Sequence, residues 1–135
     1  MGYTPELVVV VDDDEAVRRA LTFSLRLEGL NVEAHDSGDD FLATSPKNLG
    51  CIVVDYRMPG MDGVTLVEHL RKTDRSLPAI LIASKVDSAV LTRAKAAGFD
   101  LVLEKPLEDA ALIDGIKAAL TRPRIGSDAK IGEGT

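Results

Sequence analysis

Tryptophan is absent from this 135-residue chain, and aromatic residues make up only 4% of it. Val, Leu, Ile and Ala must therefore fill the core. There is one cysteine, Cys51, so neither an intrachain disulfide nor a cysteine-based zinc site is available. That usage fits a reducing compartment. Long apolar runs are also lacking. LVVVV (7–11) is the only apolar run near the N-terminus; it has no basic flank and leads straight into three aspartates. It is too short to span a bilayer, so neither a signal peptide nor a transmembrane helix is expected, and the expected location is the cytoplasm. Positive charge is in deficit: 16 Lys and Arg against 22 Asp and Glu, a net charge of -6. A small acidic domain is not expected to hold a nucleic-acid backbone by itself; a cation or a basic partner suits it better.

What is present is an alternation. The length and the 45% hydrophobic content fit one domain with one core. LVVVV ends in Asp12, Asp13 and Asp14. In EAVRRALTFSLRLEG, Val17, Leu21 and Leu25 fall on one helical face and Gly29 is a natural stop. NVEA (31–34) reads as a short strand, and Ser37 can cap a short helix carrying Phe41 and Leu42 before Pro46. CIVVD (51–55) is a second apolar strand, followed by the turn-forming MPGMDG (58–63). Asp62 can cap the helix holding Leu66, Val67 and Leu70. Pro78 opens AILIA (79–83), and a small-residue helix over about 87–97 stops at Gly98. LVLEK (101–105) is the last strand. Leu107 to Leu120 is the last helix, with Leu112, Ile113, Ile116 and Leu120 inward. Gly115 within it reads as a weak point, worth roughly 1 kcal/mol against Ala. RPRIGSDAKIGEGT (122–135) has no periodicity and is expected to be a disordered tail or a linker stump.

Five strands alternating with five helices define an α/β domain. Strands apolar on both faces need cover on both sides, which implies a parallel sheet, doubly wound, with right-handed crossovers. Ligands of such sheets bind beyond the carboxyl ends of the strands. There this sequence places Asp12, Asp13 and Asp14, then Asp55, then Ala83 and Ser84, then Lys105. Two carboxylates about 4 Å apart repel by roughly 4 kcal/mol at an effective dielectric of 20. Converging carboxylates must take up a proton or a hard divalent cation. An aspartate beside such a metal can attack phosphorus, and a lysine opposite can balance phosphoryl charge.

VVDDDEAVR, VVDYRMPGMDG and LEKP, in this order and spacing, resemble the receiver domain of two-component response regulators. The resemblance covers about residues 6–121. It implies a flavodoxin-like (βα)5 fold with strand order 2-1-3-4-5, and a module that takes phosphate from a histidine kinase or a histidine phosphotransfer protein. It implies Asp55 as phosphoacceptor, and Mg²⁺ held by Asp13, Asp55 and the backbone carbonyl of Arg57, with Asp12 acting mainly through water. Lys105 and the backbone N–H of Ser84 would contact the phosphoryl group. The Lys105–Pro106 bond is expected to be cis, which would aim the lysine. Such a module is a phosphoryl acceptor that slowly loses phosphate to water, not a turnover enzyme. Monomer or weak homodimer is expected, with a downstream protein partner.

Two positions depart from that pattern. Ala83 stands where receivers carry Thr or Ser, and Val102 where many carry Tyr or Phe. A hydrogen bond to a charged group is worth roughly 1.5 to 3 kcal/mol, and reversing a two-state switch takes about 5.5 kcal/mol. The missing hydroxyl therefore removes a large share of the bias without removing the acceptor. Phosphate-independent binding, or the receiver half of a transcription factor, are the neighbouring readings. No helix-turn-helix pattern follows residue 121, so direct DNA binding by this chain is not expected. A hydrolase of the haloacid dehalogenase type would need a carboxylate where Arg57 stands. His35 and His69 read as surface or packing residues away from the site, Cys51 as a small core residue, Asp14 as a charge leading into the first helix, Arg18 and Arg19 as a solvated face. Arg57 and Lys85 are flanking cations on the site loops.

Overall fold

A computed structural model of the protein describes residues 6–44 and 46–124. In chain order the elements are β1 (Leu7–Val11), α1 (Glu15–Leu27), β2 (Asn31–His35), α2 (Gly38–Leu42), β3 (Leu49–Asp55), α3 (Gly63–Leu70), β4 (Ala79–Ala83), α4 (Ser88–Ala96), β5 (Leu101–Glu104) and α5 (Asp109–Thr121). The five strands form one parallel sheet in the order β2-β1-β3-β4-β5, as expected.

The central strands are the continuous apolar runs, and only they are buried on both faces. The edge strands behave differently. β2 is exposed at three of five positions, and β5 has no fully buried residue. Full apolar cover therefore holds for the three central strands. β3 also starts two residues before Cys51, because Leu49 pairs with Leu7 across an irregularity in the register. Gly50 permits that approach: a Cβ there would come within 2.6 Å of the Glu6 Cβ. β5 stops at Glu104, one residue before Lys105, and α5 begins at Asp109 rather than Leu107.

Alternate side chains feed two layers. Val9, Val11, Ile52, Val54 and Leu81 pack with Phe41 of α2, Leu66 and Val67 of α3, and Val90 and Ala94 of α4. Val8, Val10, Cys51, Val53, Ile80 and Ile82 pack with Leu21 and Leu25 of α1 and Leu112 and Ile116 of α5. Each fully buried Leu or Ile stabilises the fold by about 1.5–3 kcal/mol relative to exposure. Aliphatic side chains thus do the work that few aromatics are present to do. Ile113 and Leu120, assigned inward, are only half-buried. Gly115 has a packing reason for being small: a Cβ there would meet the Leu101 Cδ2 at 2.5 Å. It lets α5 lie close on β5, so its helical cost is offset by contact.

Local signals set the helix ends. Asp14, Ser37, Asp62 and Asp87 each accept a backbone N–H of the following first turn. Gly29 and Gly98, at φ 85° and 83°, terminate α1 and α4 in the left-handed region. Beyond α5 the chain is anchored as far as it is described. Arg122 pairs with Asp100, and Arg124 pairs with Asp74 at 2.7 Å while donating to the Ser76 Oγ. Residues 125–135 of the expected tail lie outside the described residues. No described helix is long and apolar enough to cross a membrane.

Candidate functional site

The carboxyl ends of β1 and β3 and the residue after β5 converge where the strand order reverses. Oxygens of Asp12, Asp13 and Asp55 lie within 4.8 Å of one another. Asp12 is 1% exposed and Asp55 7%, whereas Asp13 faces solvent. One Asp12 oxygen accepts the Asp14 N–H at 2.9 Å; the other, Oδ2, is buried with no hydrogen-bond partner. Lys105 Nζ stands 3.2 Å from Asp55 Oδ1. Burial pushes the Asp12 carboxyl above its ordinary pKa, and repulsion from Asp55 adds to this against the Asp14 N–H. Burial also raises that of Asp55, more than the Lys105 ammonium lowers it. A buried, unsatisfied carboxylate oxygen among acidic neighbours suits a hard cation bound through oxygen.

Backbone bonds hold the ends of β1 and β3 and the residue after β5 in place. Asp12 N–H donates to the His35 carbonyl at 3.1 Å, and Tyr56 N–H to the Ile82 carbonyl at 2.7 Å. Lys105 N–H donates to the Ala83 carbonyl at 2.9 Å, so the lysine leaves the sheet from a fixed point. Gly63 N–H closes the loop after β3 onto the Tyr56 carbonyl at 3.0 Å. A Cβ on Gly63 would collide with the Asp55 carbonyl oxygen. This glycine is therefore required by the close approach of α3 to the end of β3.

Other expected residues fall as follows. The Lys105–Pro106 peptide is cis. Ala83 is buried and closes β4, paired with Glu104, while Ser84 just beyond it is exposed. Val102 is half-buried against the α3–α4 layer and pairs with Leu81. Arg57 is exposed on the loop after β3; with Tyr56, Met58, Pro59, Gly60 and Asp62 it lines a cleft of about 440 Å³. Lys85 is exposed. Asp14 caps α1 through bonds to Ala16 and Val17, and Cys51 is buried with its thiol pushed up to about 12. His69 is exposed and borders a larger cleft, about 1020 Å³, shared with Lys47, Asp74 and Arg124.

Two expectations need correction. His35 is not remote from the site: it is buried, and its carbonyl holds the Asp12 amide. Its ring bonds Asp40 at 2.7 Å and packs edge-on to Phe41. Arg18 is not simply solvated: its Nη1 donates to the Asp12 carbonyl at 2.7 Å. Arg19 does lie on an exposed face, near Glu15. Both misreadings concern contacts made to the end of β1, one from the end of β2 and one from α1, which periodicity along one segment does not reveal.

Sequence reasoning missed Arg93. From α4 its Nη1 donates to Asp62 Oδ2 at 3.0 Å and to the Tyr56 hydroxyl at 3.3 Å, and its Nη2 to Thr65 Oγ1 at 3.4 Å. The guanidinium carbon lies 5.8 Å from the Tyr56 ring centroid. Burial alone would raise the Asp62 carboxyl, but the Thr65 N–H and Arg93 outweigh it and hold the group below its ordinary pKa. Asp62 was legible as a helix cap; nothing local marks Arg93 as its partner.

The sequence matches the family described as response regulator receiver domain over residues 8–117. This chain belongs to that family. Over 116 residues it is 40% identical to the transcriptional regulatory protein FixJ of Azorhizobium caulinodans, covering 85% of this chain and 55% of that one. It is 37% identical to the C4-dicarboxylate transport transcriptional regulatory protein DctD of Pseudomonas aeruginosa, covering 87% of this chain and 26% of that protein. The chain thus spans about half the length, or less, of these relatives. Among solved structures, FixJ-N superimposes with a TM-score of 0.80 at 36% identity, covering 90% of this chain and 98% of that one. A CheY-like receiver domain from Methanospirillum hungatei, at 24% identity and a TM-score of 0.81, shares the fold.

Proposed function

We propose that this receiver domain accepts a phosphoryl group on Asp55 from a phosphohistidine of a histidine kinase or phosphotransfer protein, with Mg²⁺ bound among its acidic residues. The observation that carries this reading is the pairing of Lys105 with Asp55 at 3.2 Å beside the unsatisfied buried oxygen of Asp12. Asp13, Asp55 and the Arg57 carbonyl would hold the ion, with Asp12 acting mainly through water. Bound there, Mg²⁺ supplies positive charge to the carboxylates and to the incoming phosphoryl oxygens. An Asp55 oxygen attacks phosphorus while the bond to the donor imidazole breaks, giving an acyl phosphate. Lys105, freed from its ion pair, takes a phosphoryl oxygen as its new partner. The Ser84 N–H is assigned to a second phosphoryl oxygen.

The domain is itself the substrate of this transfer and does not turn over. Its setting in this reading is the cytoplasm, as a monomer or weak homodimer, and a protein partner reads its state. FixJ and DctD are named as transcriptional regulators; an output of that kind would have to come from outside the receiver. Ala83 and Val102 favour one second reading, an interaction module whose contacts do not depend on phosphate.

Incubation with Mg²⁺ and a small phosphodonor such as acetyl phosphate is expected to add one phosphoryl group by intact mass, and none to Asp55→Asn. A folded wild-type protein with no adduct at saturating donor would overturn the acceptor role and leave the phosphate-independent module.

A further inference from the structure

The segment from Tyr56 to Asp62 carries the site's implied backbone ligand, the Arg57 carbonyl. Its main chain is fixed at both ends, at Tyr56 by the Ile82 carbonyl and by Gly63. Met58 anchors it between, with 9% exposure. Arg93 adds a side-chain grip on the same two ends, the Tyr56 hydroxyl and the Asp62 carboxylate. That grip comes from α4, whose own buried anchors are only Val90 and Ala94. One guanidinium therefore joins a lightly anchored helix to the loop next to Asp55.

We propose that Arg93 is a positioning residue, holding the 56–62 loop in its ion-binding shape and coupling α4 to the state of the acidic site. This role rests on the reading of Asp55 and its neighbours as a Mg²⁺-dependent acceptor. A planar guanidinium suits it because its fixed fork engages Asp62, Tyr56 and Thr65 together, which an ammonium cannot do. Arg93 and Asp62 are 39% and 30% exposed, so the pair contributes little to global stability. Its effect falls on loop geometry, as a partner supporting the residues around a metal. Coupling is reciprocal: whatever the ion does to α4 through Arg93, a protein bound to α4 does to ion affinity. This route bypasses the buried end of β4, where Ala83 offers no hydroxyl.

The test is a Mg²⁺ titration of the whole chain, without phosphodonor, followed by amide NMR shifts. In the wild type the shifts are expected in residues 56–62 and to continue into α4. Arg93→Ala is expected to bind Mg²⁺ about tenfold more weakly, with the α4 shifts lost and the melting temperature nearly unchanged. Arg93→Lys keeps the charge and loses the fork, and should fall between the two. Unchanged affinity with intact α4 shifts in Arg93→Ala, or in Arg93→Lys should the alanine variant not fold, would overturn the role while leaving the acceptor reading standing. A wild type that shows no Mg²⁺ response would instead remove the metal site, and this role with it.

Discussion

Lys105 Nζ lies 3.2 Å from Asp55 Oδ1, although β4 separates the strands that deliver them. Among the described residues it is the only ion pair that includes a member of the acidic cluster. It partly offsets the burial that raises Asp55, without reversing it. The two side chains are held close by backbone bonds on either side of β4, from Tyr56 to Ile82 and from Lys105 to Ala83.

Removing that ammonium should separate cation binding from phosphoryl transfer. In Lys105→Gln the predicted Mg²⁺ affinity rises about threefold to tenfold, the equivalent of roughly 1 kcal/mol of lost repulsion. Phosphorylation of Asp55 by acetyl phosphate should slow about a hundredfold at saturating Mg²⁺. Isothermal titration and intact-mass time courses measure the two. Weaker Mg²⁺ binding in Lys105→Gln would refute this assignment of the lysine.

The raised carboxyls fix a pH dependence. Folded Asp12 and Asp55 bind protons more tightly than in the unfolded chain. Their contribution to stability is thus fully present below the unfolded pKa, about 3.9, and is lost as pH rises through the folded values. Asp12→Asn should match the wild type near pH 3.5 and exceed it at pH 7.5, in EDTA, by on the order of 1 kcal/mol. Saturating Mg²⁺ should shrink that advantage by stabilising the wild type. Chemical denaturation at both pH values checks it; a destabilised Asp12→Asn at neutral pH without metal would contradict the electrostatics.

Gly63 is predicted to tolerate no side chain. Gly63→Ala drives a Cβ into the Asp55 carbonyl oxygen, a backbone atom that cannot turn aside. The expected loss is about 2–3 kcal/mol in guanidinium unfolding. Gly115→Ala, whose clash is with a Leu101 methyl, should lose less, since a side chain can adjust. The reverse ranking would show that the α3 approach is softer than its geometry.

Ala83→Thr restores a hydroxyl at the end of β4. On phosphorylation, backbone shifts around α4 and β5 should be larger in Ala83→Thr than in the wild type. Equal and widespread shifts in both proteins would mean that the hydroxyl adds nothing to the route already supplied by Arg93.

The alternation of apolar runs and amphipathic segments was enough to reach the parallel sheet, its helices and the strand-end residues Asp12, Asp13, Asp55 and Lys105. Those features are local: a strand buried on both faces must be apolar throughout, and the residue that ends it is fixed by the chain. The helix caps at Ser37 and Asp62 and the stops at Gly29 and Gly98 were legible for the same reason, whereas Asp14 read only as a charge leading into α1 and its capping bonds came from the structure. Edge burial, the His35 and Arg18 contacts with Asp12, and the need for Gly63 were not, because each depends on what a neighbouring element places there. Arg93 shows the limit most clearly. It lies 37 residues from Tyr56 and 31 from Asp62, on a helix that the sequence marks only by its small residues. The sequence by itself determined which groups reach the carboxyl edge. Only the tertiary structure decided which of them touch, since side-chain meetings across elements follow from helix packing on the sheet and not from the order of residues along it.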